Sequence, residues 1–196
     1  MKRVAILISG TGTNMEVLVK AMTGDFPARP VLVISDNLEA AGLAKARALN
    51  VPTYALRRSD FADRAAFEGA LDRALDGAKA DIVCLAGFMR VLSGDLVARW
   101  QGRMLNIHPS LLPRYPGLDT HARALAAGDA RHGCTVHEVT AELDAGPIRG
   151  QARLDVAPEE TAESLARRVQ ALEHRLYPQV LRQVALGRAE PVVIED

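Results

Sequence analysis

The sequence lacks a charge surplus of either sign: 24 Lys and Arg offset 24 Asp and Glu among 196 residues. A balanced chain sets up no field to draw in nucleic acid or an anionic membrane surface, so neither is an expected partner. Long apolar runs are missing too. None approaches the roughly 20 residues of a membrane span. The run near the amino terminus is too short for a secretory h-region before Gly10-Thr11-Gly12 interrupts it. Cysteine is scarce, and Cys84 and Cys134 form no C-x-x-C or zinc-ligand spacing. Both read as buried reduced thiols, as in a cytoplasmic protein. No internal repeat, low-complexity segment or linker is visible.

What is present is ordinary globular composition, 48% hydrophobic and 24% charged, in a length that suits one domain, 1–196, with a sizeable core. Residues 3–9 form a continuous apolar run, as expected for a strand covered on both faces. The turn Ser9-Gly10-Thr11-Gly12-Thr13-Asn14 then opens a helix to about Ala21. Further strands are predicted at 31–35, 52–56, 81–86 and 103–108. Helices are predicted at 40–49 and 60–76, with a short one closing at 96–100. Such alternation specifies an α/β fold: a Rossmann-like, mostly parallel sheet with helices on both faces, in three αβα layers. Segments 132–139 and 148–156 are strands with only a turn between them, which makes the far edge antiparallel. A last helix runs from near Pro158 or Thr161 to Leu186. Leu165, Val169, Leu172, Leu176 and Val180 form its core stripe, with Gln170, Glu173 and Tyr177 on a neighbouring face.

Chemistry concentrates at Leu105-Asn106-Ile107-His108-Pro109-Ser110-Leu111-Leu112-Pro113. Alternate strand residues share a face, so Asn106 and His108 stand together while Leu105 and Ile107 anchor the other side. Pro109 has no N–H and ends the strand. An amide donor and an imidazole are thereby left at a carboxyl end, where open α/β sheets bind ligands. The plainer alternative is a polar pair bonded to local backbone. Asp144, in Glu142-Leu143-Asp144-Ala145-Gly146-Pro147, is a third candidate, against the plainer role of shaping a turn before Gly. Folded against His108, its carboxylate favours a charged imidazolium. A charged His beside an Asn amide stabilises an oxyanion and moves a proton. Ser110 lacks the G-x-S-x-G surroundings of a nucleophile, which favours direct transfer through a tetrahedral intermediate.

The turn at 10–14 is a second candidate, since backbone N–H groups and the dipole of the helix it opens attract an anion. It is no Walker A motif, and Met15 occupies the third glycine position of a dinucleotide fingerprint. Thr11, Thr13 and Asn14 add donors suited to a phosphate monoester; a simple βα connection is the alternative. His121, His132, His137 and His174 share no ligand spacing, so no metal is expected. Chemistry alone does not separate Arg64 and Arg90 from solvated arginines.

The 106–113 run, the downstream Leu143-Asp144-Ala145-Gly146-Pro147 and the Ser9–Asn14 turn resemble the folate-dependent formyltransferases, and within them the phosphoribosylglycinamide formyltransferases. Those enzymes move a formyl group from 10-formyltetrahydrofolate to the amine of glycinamide ribonucleotide in purine biosynthesis. The similarity covers nearly the whole chain, including Ala86-Gly87-Phe88-Met89-Arg90 and Tyr115-Pro116-Gly117.

The resemblance implies that Asn106, His108 and Asp144 are catalytic. It assigns Gly12, Thr13 and Asn14 to a phosphate cradle, and Gln170 and Glu173 to the ribonucleotide. The folate side would be Arg64, Met89, Arg90, Val91, Leu92, Asn106, Thr140, Ala141, Glu142, Leu143 and Asp144, with Met89, Val91 and Leu92 against a flat pterin ring. Residues 1–100 would serve phosphate and ribonucleotide, and 101–196 folate and catalysis. Also implied are a cis bond before Pro113, small-molecule substrates with 10-formyltetrahydrofolate as co-substrate, no metal, and a monomer or homodimer.

Three departures from the family pattern stand out: Thr13 for the usual Ser, Arg149 where an apolar residue is usual, and a tail that stops soon after Pro191-Val192-Val193-Ile194. Alternatives are a sugar formyltransferase, formyltetrahydrofolate hydrolase, which adds an amino-terminal domain, and a binding module with a decayed site. Methionyl-tRNA formyltransferase adds an RNA-binding domain for which the chain has neither length nor basic surplus.

Overall fold

In the computed structural model, which describes residues 1–196, strands and helices alternate along the first half. They are β1 (Lys2–Ile8), α1 (Thr13–Ala21), β2 (Ala28–Ser35), α2 (Ala41–Ala48), β3 (Thr53–Ala55), α3 (Arg64–Gly77), β4 (Ile82–Leu85), α4 (Gly94–Arg99) and β5 (Met104–His108). There follow α5 (Thr120–Ala126), β6 (Arg131–Glu138), β7 (Ile148–Asp155), α6 (Ala162–Ala185) and β8 (Val192–Glu195). The strand order is β3-β2-β1-β4-β5-β6-β7-β8. Two compact units divide the chain, Met1–Leu105 and Asn106–Asp196.

In the first unit, β1 pairs in parallel with β2 and β4, and β2 with β3. Val4 to Ile8 are all fully buried, and β4 is buried throughout. Because consecutive strand residues face opposite ways, both faces are covered, as the unbroken apolar runs require. β2 begins three residues earlier than predicted and carries Pro30. The register slips there, from Val4↔Pro30 to Ala5↔Leu32, so the extra residue accommodates a proline that cannot donate to the ladder. α3 begins at Arg64, not at 60. Asp63 adopts extended backbone and accepts from Ala66 N–H at 2.7 Å, a side-chain cap that fixes the start; Arg58–Asp60 is a separate 3₁₀ turn.

In the second unit, β6 and β7 pair antiparallel, as expected, and β8 lies parallel to β7. The tail therefore does form a strand, and Arg149 is held by Glu138 Oε1 at 3.3 Å. A capping box at Thr161 and Ser164 starts α6. Its buried stripe is wider than predicted: Glu173 and Tyr177 are buried beside Leu165, Val169, Leu172, Leu176 and Val180. Each such leucine or valine contributes about 1.5–3 kcal/mol by leaving water. The seven-residue α5 has no counterpart in the predicted elements; its N-cap, Asp119, is in a left-handed conformation. Neither cysteine is in a disulfide and both are buried, and burial raises the Cys134 thiol far above its ordinary value. No helix is long and apolar enough to cross a membrane.

Candidate active site

β5 stops at His108, and the loop after Pro109 folds back on it. His108 is buried, with Nε2 2.9 Å from the Tyr115 carbonyl oxygen. A carbonyl only accepts, so Nε2 carries a proton and Nδ1 is the nitrogen left for chemistry. Nδ1 lies 3.4 Å from Asp144 Oδ2. That oxygen also accepts from Gly117 N–H at 2.9 Å, and Oδ1 is 3.6 Å from His137 Nε2. Burial works to raise the Asp144 carboxyl, but hydrogen bonding to His137 and Gly117 and the charge of His108 outweigh it. The group is held below its ordinary 3.8.

His137 links the two arms of the site. Its Nδ1 lies 2.9 Å from Glu138 O and donates to it, and its Nε2 stands between Asn106 Nδ2 at 3.2 Å and Asp144 Oδ1 at 3.6 Å. By its spacing alone His137 stands out only as a possible metal ligand, not as a member of this site. The available signal was alternation along β6, which puts His137 on the face of Thr135. Thr135 Oγ1 donates to Ser110 O and accepts from Leu112 N–H, tying the loop to that face.

Ser110 is fully buried, and its hydroxyl is committed to the carbonyls of Arg114 at 2.6 Å and Tyr115 at 3.2 Å. No activated nucleophile stands beside His108. Tyr115 has φ +54° and donates its phenol to Asp129 Oδ2 at 2.7 Å, and the Leu112–Pro113 bond is cis. His121 and His132, without a common spacing in sequence, meet at 3.1 Å between ring nitrogens. Burial, then the neighbouring His121, lowers His132 to about 4.

Asp144 has φ +52°, a left-handed conformation that Asp tolerates better than most residues. Two residues on, a Cβ on Gly146 would stand 1.8 Å from Glu138 O. Only glycine lets the loop seat against β6 here. Leu143 is 56% exposed, and Thr140 Oγ1 donates to Glu142 O. On α6, Gln170 is exposed and Glu173 buried.

The remaining candidates lie in the first unit. Gly12 has φ +68°, and a Cβ there would meet Gly42 Cα at 2.7 Å, so the 10–14 turn lies flush against α2. The N-cap of α1 is Gly12, which has no side chain to cap it, and Asn14 is buried. Met89 and Val91 are 71% and 64% exposed, whereas Leu92 is buried, so of the three apolar side chains expected at a pterin ring it alone turns inward. Arg90 Nε lies 2.6 Å from Asp36 Oδ2, with its guanidinium 5.5 Å from the Phe67 ring centroid. Arg64 pairs with Glu68 on its own helix.

An amide and an imidazole backed by a carboxylate, with no nucleophile beside them, are the equipment of direct acyl transfer. Residues 2–181 match the formyl transferase family, and the chain belongs to it. A phosphoribosylglycinamide formyltransferase structure from Brucella melitensis is 53% identical with a TM-score of 0.91, covering 97% of this chain and 98% of that one. Phosphoribosylglycinamide formyltransferase of Haemophilus influenzae is 40% identical over 96% of this chain and 89% of its own length. The trifunctional purine biosynthetic protein adenosine-3 of Bos taurus is 46% identical over 94% of this chain, which spans only 18% of that protein.

Proposed function

We propose that the chain transfers the formyl group of 10-formyltetrahydrofolate to the amine of 5'-phosphoribosylglycinamide, giving N-formylglycinamide ribonucleotide and tetrahydrofolate in purine biosynthesis. The observation that carries this reading is the orientation of His108: Nε2 is committed to Tyr115 O, and Nδ1 faces Asp144 at 3.4 Å. The amine attacks the formyl carbon, and the carbonyl oxygen gains negative charge. The N–H groups of Asn106 and of His108 Nδ1 stabilise that oxyanion, while the Asp144 carboxylate beside Nδ1 holds the imidazole aligned and offsets the charge it carries in the step. As the tetrahedral intermediate collapses, the C–N10 bond breaks and the proton lost by the amine ends on N10. Bound Ser110 and the missing base partner favour this direct route over an acyl-enzyme.

Gly12, Thr13 and Asn14 take the phosphate in this reading, supported by their place at the amino terminus of α1 and by a glycine N-cap with no room for a side chain. Gln170 and Glu173 serve the ribonucleotide. Arg64, Met89, Arg90, Val91, Leu92 and residues 140–144 serve the folate, supported by the exposed apolar side chains of Met89, Val91 and Leu143. The enzyme works in the cytoplasm, whose reducing conditions suit Cys84 and Cys134, as a monomer or homodimer and without a metal.

The test offers glycinamide ribonucleotide, an aminosugar nucleotide and water as competing acceptors and follows loss of 10-formyltetrahydrofolate. Transfer confined to glycinamide ribonucleotide is expected; preferred transfer to the sugar, or hydrolysis alone, refutes the assignment. In the same assay His108→Ala and Asp144→Asn lower turnover by about a hundredfold or more, with ribonucleotide affinity by calorimetry nearly unchanged. Near-normal turnover in His108→Ala removes the proposed role.

A further inference from the structure

Glu68 is a buried carboxylate in α3, only 7% exposed and remote in sequence from the residues assigned to chemistry. Its Oε1 accepts from Arg64 Nε at 2.8 Å and from Ser93 N–H at 2.9 Å, and its Oε2 accepts the Ser93 hydroxyl. Arg64 in turn donates from Nη2 to Val91 O at 2.6 Å. One carboxylate therefore ties the first turn of α3 to both Val91 and Ser93, and Ser93 also caps α4 by accepting from Leu96 N–H. The other end of the segment is anchored where Met89 N–H donates to Ser9 Oγ at 2.9 Å.

Between these anchors Met89 and Val91 hold their side chains in water. A fold gains nothing from ordering exposed apolar groups, and a buried carboxylate is costly unless its donors are well placed. The donors here are strong enough to lower the Glu68 carboxyl despite its burial. An apolar residue would fill the space, but only an acceptor-only group satisfies all three N–H and O–H donors.

We infer that Glu68 is a positioning residue for the folate side. It sets the guanidinium of Arg64 and the 89–92 segment in the geometry that receives 10-formyltetrahydrofolate. This rests on the folate assignment of those residues made above. Glu68→Gln keeps the shape but removes the charge that strengthens the bonds from Arg64 and Ser93, and it turns the acceptor of the Ser93 hydroxyl into a donor, which loosens the clamp.

The experiment measures both KM values and kcat for wild type, Glu68→Gln, Arg64→Ala and the double variant, with calorimetric affinity for tetrahydrofolate and Tm for each. Glu68→Gln is expected to raise the folate KM and the tetrahydrofolate Kd by about tenfold, the effect of one buried group left unsatisfied. The ribonucleotide KM and kcat should stay within about twofold. The double variant should be little worse than Arg64→Ala, because both changes break the same chain of contacts. Glu68→Asp, which keeps the charge, should recover part of the affinity. An unchanged folate KM in a folded Glu68→Gln protein overturns the inference, as does a uniform loss of all parameters together with Tm. If Arg64→Ala leaves folate affinity intact, the folate assignment fails, and the inference with it. If Arg64→Ala weakens folate while Glu68→Gln does not, only the positioning role falls.

Discussion

Replacing Gly146 with alanine probes the seat of the Asp144 loop without touching a group that takes part in the reaction. The new methyl would stand 1.8 Å from Glu138 O, where anything under 3.0 Å is essentially never found, so loop and strand must part by at least 1.2 Å. The displaced oxygen is the acceptor of His137 Nδ1, and Glu138 N–H is bonded to Pro147 O at 2.9 Å. The shift therefore propagates through His137 to Asn106 and Asp144. Misplacing reacting groups by about 1 Å costs about a hundredfold in rate. Overpacking costs about 1–3 kcal/mol, a fall in Tm of roughly 2–12 °C for a chain of this size. Single-turnover formyl transfer reads the rate and a thermal melt the stability. Gly77→Ala, where a Cβ meets nothing within 4 Å, is the control and should leave both nearly unchanged. A folded Gly146→Ala enzyme within threefold of the wild-type rate would refute the claim that this close approach fixes the catalytic geometry.

Two further expectations concern regions outside the Asp144 loop. Asn14→Ala should raise the KM for the phosphate-bearing substrate by about tenfold and leave that for folate alone; an effect confined to folate contradicts the cradle. Burial, reinforced by His121, keeps His132 neutral down to about 4, whereas the unfolded chain protonates it near 6.5. The unfolded state then binds more protons between those values, so stability should fall as pH drops from 6.5 to about 4 and not change further from this group below that. Urea midpoints across that range should show the slope, and it should flatten in His132→Gln; equal slopes in both proteins would exclude His132 as its source.

Local pattern carried the sequence reading furthest where local physics decides. Period-two alternation and a terminating Pro109 placed Asn106 and His108 together at the end of β5, and the apolar runs of β1 and β4 gave buried parallel strands. A local window is not enough where a single side chain or a distant neighbour decides. The start of α3 is set by the Asp63 cap, while apolar content alone ran the helix back to residue 60. β2 tolerates Pro30 only because the register slips beside it, which no window of its own sequence reveals. His137 became relevant when β6 brought it to Asn106, 31 residues away. His121 and His132 look unrelated by spacing and still meet through the turn between α5 and β6. Leu92 differs from Met89 and Val91 by where the chain turns, not by hydropathy.

The left-handed backbone at Asp144 narrows what evolution can place there. A glutamate would bring the same charge, but an extra methylene would carry its oxygens away from Gly117 N–H and His108, and its longer side chain suits a positive φ less well. Asparagine and glycine fit the backbone and forfeit the charge. One torsion angle thus leaves aspartate as the common residue that meets both demands, so under the role proposed for Asp144 drift at this position silences the enzyme and does not retune it.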